Sequence, residues 1–185
     1  MGMNYLSGIE NGAFYEGEQM TPTGPFKIDM KVELIQLRQG FLCGVFRIYN
    51  LTKEHDLLIT YFEGEIMGTY TNPFLPALTS EAEDDILHWN KFPEWELNYI
   101  SEPESYDYEA NNFLYIKIKE RFLLPDPSIK NIPGASIEGL YYCRYSKQKD
   151  FFSGFYFYKN YTSNTSQHLK LQRTKKRTAE YYEFC

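Results

Sequence analysis

FKIDMKVEL, residues 26–34, places Phe26, Ile28, Met30, Val32 and Leu34 on one face of an extended chain and Lys27, Asp29, Lys31 and Glu33 on the other. That period of two predicts a β-strand with one wet face. Arg38-Gln39-Gly40 then supplies a tight turn, and FLCGVFRIYNL, residues 41–51, reads as the antiparallel partner, with Gly44 marking a bulge or a close approach. LLITYFEGEIMG, residues 57–68, is rich in β-branched and aromatic side chains and predicts a third strand, ended by Gly68 and followed by a loop carrying Pro73 and Pro76.

Further along, one segment leaves the β pattern. Ser80 with Glu83 matches a capping box, and Ile86, Leu87, Trp89 and Phe92 provide apolar anchors before Pro93, so a short helix is expected here. Residues 94–111 are acidic and tyrosine-bearing without a period, which predicts a loop with at most one helical turn. Strand patterns resume at Phe113 and recur in IEGLYYCRYSKQKD, FFSGFYFY and HLKLQ, bringing the expected total to seven or eight. Antiparallel hairpins with so little helix predict an all-β sandwich or closed barrel, and closure removes the exposed edges that apolar strands would otherwise present.

Composition narrows the function. The 185 residues hold 17 Tyr, 14 Phe and 2 Trp, a supply of side chains that offer both an apolar body and, in Tyr, a hydroxyl. A net charge of −6 disfavours a general nucleic-acid or anionic-membrane surface. No stretch approaches the roughly 18 apolar residues of a membrane span, and MGMNYLSGIENG lacks the basic start and apolar run of a secretory signal. A cytoplasmic protein is expected, with RTKKR as a weak nuclear-import signal, and the sequons at Asn50, Asn160 and Asn164 read as chance. Cys43, Cys143 and Cys185 have no metal-ligand spacing, so free thiols and no metal site are expected.

In residues 113–124 the even positions are Leu114, Ile116, Ile118, Glu120, Phe122 and Leu124, which turns Glu120 inward with the apolar set. An unpartnered carboxylate in an apolar interior is costly, so it must be paired, wet, or waiting for a cationic ligand. A bulge that returns Glu120 to solvent, or an internal Arg partner, is the competing reading. Only one carboxylate is misplaced in this way, which favours binding over acid/base hydrolysis. Catalytic constellations are otherwise thin. His55, His88 and His168 are scattered, His88 reads as a packed structural residue, Ser136 sits in a turn, and no phosphate-binding or nucleophile motif occurs. The protein is expected to be neither an enzyme nor a cofactor carrier.

The set YFEGEI (61–66), HWNKF (88–92), KERFLLPD (119–126), PGASIEGLYY (133–142) and YEFC (182–185) resembles the glucose-induced-degradation, or vacuolar import and degradation, substrate-receptor family of the GID/CTLH ubiquitin ligase. The resemblance runs from about Phe14 onward in unbroken order. It implies an eight-stranded antiparallel β-barrel, lipocalin-like, with short helical insertions, whose mouth binds the N-terminal peptide of target proteins such as gluconeogenic enzymes, proline first. It further implies that Glu120 and Tyr141 hold the terminal amine and that Gly134 and Ser136 contact the first peptide units. Gln19 grips the peptide backbone, and Val32, Ile48, Leu51, Leu58 and Tyr156 form the pocket walls. Ile137 and Leu140 stand where the family usually carries aromatics, and Tyr158 where it carries His, so the pocket rim differs. Residues 1–13 are then assigned to a flexible N-terminus, 14–172 to the degron-binding barrel, and 173–185 to an arm. In that arm Tyr181, Tyr182 and Phe184 dock on the armadillo-type scaffold subunit of the ligase. A lipocalin-like carrier of a small apolar ligand shares the barrel, but would need neither Glu120 nor the arm.

Overall fold

The alternating segments pair in chain order into one closed sheet. The computed structural model describes residues 8–74, 80–158 and 167–174. Its strands are β1 (Phe14–Thr21), β2 (Gly24–Gln36), β3 (Phe41–Tyr49), β4 (Leu57–Ile66), β5 (Phe113–Leu124), β6 (Leu140–Ser146), β7 (Phe151–Phe157) and β8 (Gln167–Thr174), with helices α1 (Ser80–Trp89) and α2 (Asn98–Ser101). Every neighbour is antiparallel, and β8 pairs back onto β1, so the sheet is a barrel rather than a sandwich. The interior is filled by inward residues of all eight strands, Tyr15, Ile28, Phe46, Phe62, Ile116, Tyr145, Phe152 and Leu171 among them.

β1 is the strand that periodicity does not reveal. Its inward positions after Tyr15 are Gly17 and Gln19, so the alternation carries no apolar signal. Gly17 is nevertheless required there: a Cβ on it would lie 1.7 Å from the Lys170 carbonyl oxygen of the closing strand.

Two bulges correct the expected faces. On β2 the register slips between Val32 and Leu34, which turns Leu34 outward to 36% exposure and brings Ile35 against the core. On β5 the slip falls at Arg121, so Tyr61 opposes Phe122 while Phe62 opposes Glu120. Parity therefore holds as far as Glu120 and then flips. Phe122 stacks on Tyr61 outside the cavity at 4.8 Å, and Leu123, not Phe122 or Leu124, is the buried neighbour. Asp29, expected on the wet face, is fully buried on the outer side, where Arg47 Nε and the Tyr49 hydroxyl donate to it at 2.9 and 2.8 Å. Gly44 makes the expected close approach, since a Cβ there would meet the Lys31 carbonyl.

The insertion between β4 and β5 forms a second core outside the barrel. Trp89, Phe92, Trp95, Tyr99 and Tyr106 pack on the outer faces of Tyr115, Tyr142 and Phe157. Asp85 pins α1 to the sheet, accepting from the Tyr142 hydroxyl at 2.5 Å and from Lys117 Nζ at 3.1 Å. His88 is structural, as expected, stacked on Phe157 with centroids 3.7 Å apart, and its burial lowers its pKa.

The barrel is longer than residues 14–172. Ile9 and Ala13 belong to the core, and Gly12 and Ala13 exchange backbone hydrogen bonds with Val32. Arg173 and Thr174 continue β8, and Arg173 binds the Gly8 carbonyl and Glu10. Residues 8–13 and 173–174 thus belong to the folded barrel, at its end opposite the β1–β2 turn. Tyr181, Tyr182 and Phe184, together with Pro76 and Cys185, lie outside the described residues.

Gly17→Ala is expected to destabilise the barrel by about 2–3 kcal/mol, because the clash is with backbone that cannot rotate away. Chemical denaturation of the parent and the variant measures it. Equal midpoints would mean that β8 does not close on β1 at this spacing.

Candidate functional site

At the end of the barrel where β1 turns into β2, the interior opens into a cavity of about 400 Å³. Its walls are Gln19, Phe26, Ile48, Glu120, Tyr141, Tyr156 and Gln167 from seven strands, with Leu51, Gly134, Ala135 and Ser136 from the loops above. A small recess adjoins it beside Glu120, lined by Leu58, Thr60, Leu123, Lys130, Ile132 and Ile137 together with Ile48 and Leu51.

The chain from Pro125 to Gly139 crosses this mouth and is held by two side chains of the barrel. The Tyr156 hydroxyl donates to the Ser136 carbonyl and accepts from Gly139 N–H, both at 3.1 Å. Lys119 Nζ donates to the carbonyls of Ile137 and Gly139 at 3.0 and 3.1 Å. Gly134 turns with φ of 82°, in the left-handed region glycine tolerates. The result is a fixed strip of main chain facing the cavity.

Glu120 lies at the floor of the opening, 3% exposed. The Thr60 hydroxyl donates to its Oε2 at 2.5 Å. Tyr141 donates to Gln19 Oε1 at 3.0 Å, and Gln19 in turn donates to Gln167 Oε1 at 2.5 Å. No ion pair reaches Glu120 among the described residues. Burial raises its pKa from 4.5 to about 7, against the pull of the Thr60 hydrogen bond, the positive charge of Lys119 and the Tyr141 hydroxyl. Burial, with Glu120 nearby, also holds Tyr141 well above its ordinary range and pushes Tyr156 up to about 12, so both remain hydroxyl donors.

Most residues singled out from the sequence come together here. Glu120, Tyr141, Gln19, Tyr156, Gly134, Ser136, Ile48 and Leu51 line the cavity, and Leu58 and Ile137 line the recess. Val32 does not: it points inward but lies deeper, fully buried opposite Gly44 and hydrogen-bonded to Gly12 and Ala13 in the plugged end. Sequence reading missed Thr60 and Gln167. Thr60 was legible, since Leu58, Thr60 and Phe62 share the inward parity of β4 and only Thr60 is polar. Gln167 opens β8 ahead of any apolar residue and gave no signal.

An inward acid without a counterion, ringed by neutral donors and acceptors, is a seat for a cation that can also donate hydrogen bonds. The aromatic and aliphatic walls add an apolar contact beside it, and the main-chain strip offers peptide-like partners. A chain-terminal ammonium combines all of these features.

The sequence profile of the family described as vacuolar import and degradation protein matches residues 8–174. The chain is 31% identical over 181 residues to the glucose-induced degradation protein 4 homolog of Mus musculus, covering 95% of this chain and 82% of that protein. It is 25% identical over 189 residues to GID complex substrate-recognition subunit 10 of Saccharomyces cerevisiae, covering 83% of this chain and 65% of the relative. It is also 26% identical over 171 residues to GID complex substrate-recognition subunit 4 of Schizosaccharomyces pombe, covering 84% and 87%.

Because the pKa of Glu120 is raised by burial to about 7, the folded chain keeps a proton that the unfolded chain gives up near 4.5. The empty barrel therefore loses stability as pH climbs between those values, and the loss is complete above 7. Glu120→Gln removes it. By calorimetric melting the variant is expected to match the parent at pH 4.5 and to melt several degrees higher at pH 8. A variant no more stable than the parent at pH 8 would show that the carboxylate is already compensated.

Proposed function

This chain belongs to the vacuolar import and degradation protein family, and from that premise we propose that it is a substrate-recognition subunit of a GID-type ubiquitin ligase that captures the free N-terminus of a target protein, proline first. The observation that carries this reading is Glu120, a buried acid at the floor of an open cavity that makes no ion pair among the described residues.

The terminal ammonium of a peptide enters as the missing counterion. It meets Glu120 and accepts the company of the Tyr141 and Gln19 polar atoms, while the side chain of the first residue fills the recess beside Glu120. That recess is small, and Leu58, Leu123, Ile132 and Ile137 give it apolar walls beside the polar Thr60 and Lys130, which suits a compact side chain such as proline. The following peptide units run along Gly134, Ala135 and Ser136, which Tyr156 and Lys119 keep in place. An internal peptide bond carries no charge and cannot replace the ammonium, so recognition is of a chain end. The names of the relatives, substrate-recognition subunits of the GID complex, support a receptor whose chemistry ends at binding, ubiquitin transfer being the work of other subunits.

The docking segment is assigned to Tyr181, Tyr182 and Phe184, with an armadillo-type scaffold subunit as partner. β8 runs from Gln167 at the mouth to Thr174, which pairs with Phe14 at the plugged end away from the cavity. Capture and docking then use separate surfaces.

A Pro-first peptide is expected to bind the parent measurably by isothermal titration. Acetylating its amine, or the substitution Glu120→Ala, should weaken binding by about 2–5 kcal/mol, the range for unpairing a buried charge. Equal affinity for the free and acetylated peptides would exclude amine capture. Removing residues 180–185 should abolish co-purification with the scaffold subunit while leaving peptide affinity within about twofold. A truncated receptor that still joins the ligase would refute the docking assignment.

A further inference from the structure

The Thr60 hydroxyl donates to the Glu120 carboxyl at 2.5 Å, and Thr60 is itself 2% exposed. The contact is diagonal across the β4–β5 pair. Phe62 is the register partner of Glu120 and Leu123 that of Thr60, and the bulge at Arg121 draws the two polar side chains together. Thr60 is β-branched, so few rotamers are open to it, and its oxygen has little freedom to leave. One carboxyl oxygen is thereby tied down toward β4.

Thr60 is the strongest of the polar influences on the carboxyl, with the charge of Lys119 and the Tyr141 hydroxyl acting in the same direction. From β1 and β8 come the neutral amides of Gln19 and Gln167, from β2 and β3 the apolar Phe26 and Ile48. From β6 and β7 come Tyr141, whose hydroxyl bonds Gln19, and Tyr156, whose hydroxyl bonds the Ser136 carbonyl. The cations are peripheral: Lys119 Nζ binds loop carbonyls, and Lys130 Nζ binds the Pro127 carbonyl at 3.2 Å. A hydroxyl donor bonds a carboxylate more strongly than a neutral carboxylic acid. Since the carboxylate is the form an ammonium needs, the donor both aims Glu120 and favours its competent state.

Resting on the amine-capture reading, we propose that Thr60 is a positioning residue for the receptor, fixing the Glu120 carboxyl and stabilising its charged form for the incoming N-terminus. Thr60→Val keeps the shape and removes the donor, and Thr60→Ser keeps the donor.

The test has two readouts on the full chain. The first follows the Glu120 side-chain carboxyl carbon by NMR through a pH titration of the empty protein, with no peptide present. The second measures Pro-first peptide affinity by isothermal titration between pH 5.5 and 8.5. In Thr60→Val the carboxyl is expected to titrate about one pH unit higher than in the parent. Peptide affinity should fall on the order of tenfold at pH 7 and recover toward the parent's at pH 8.5. Thr60→Ser should follow the parent in both, and Thr60→Ala stands in for the valine variant if that one misfolds. A donorless variant whose Glu120 titrates with the parent, or whose affinity falls equally at every pH, overturns the proposal. A raised titration in a parent protein indifferent to the peptide's free amine would sink amine capture and leave the Thr60–Glu120 coupling standing.

Discussion

A carboxyl group sealed into the floor of an otherwise apolar barrel is the constraint on which the rest of this molecule turns. Ionised Glu120 without a counterion is unfavourable by several kcal/mol, so it holds a proton up to about neutrality or takes a cation from outside. Filling the site with leucine would give a more stable barrel. On the proposed reading, retaining the acid trades some stability of the empty state for a strong, directional interaction with a ligand that supplies the charge. Few groups on a folded protein's surface are both cationic and slim enough to enter beside Leu58 and Ile137, and a terminal ammonium is one.

The scaffold keeps that acid where it is. Closure of β8 onto β1 removes the sheet edges, and the bulge at Arg121 holds Glu120 inward while the next residues change face. Outside, the aromatic cluster around Trp89 and Tyr115 stiffens β5, β6 and β7, the strands that carry Glu120, Tyr141 and Tyr156. The loop over the mouth is tied down at Ser136, Ile137 and Gly139 rather than left to close on a ligand. Under the proposed capture, less ordering is required of this loop when a peptide binds, which is how a small interface reaches useful affinity.

Much of this was legible from the residues in order. Alternation in residues 26–34, 41–51, 57–68 and 113–124 was enough to predict antiparallel strands, and the same parity exposed Glu120 as an acid on the wrong side. What stayed hidden depended on partners distant in sequence. β1 is silent because Gly17 and Gln19 face inward, and the need for glycine is visible only once Lys170 lies against it. Asp29 looked solvent-facing because Arg47 and Tyr49, which bury it, sit on the neighbouring strand. Val32 has the right parity but the wrong depth, and parity carries no depth. Residues 8–13 looked like a free end because a short plug has no period of its own. Thr60 was legible by the same parity, as the polar side chain between Leu58 and Phe62 on the inward face of β4.

The central claim is that an incoming ammonium replaces a proton on Glu120, and proton counting tests it most directly. Isothermal titration of a Pro-first peptide in buffers of different ionisation enthalpy gives the protons exchanged on binding. With Glu120 titrating near 7 in the empty receptor and a peptide α-amino group near ~8, binding at pH 6.5 should release the larger part of one proton. At pH 8.5 the sign should reverse to uptake, as the amine is charged on entry. Binding that exchanges no protons at either pH would mean that the ammonium and Glu120 do not meet.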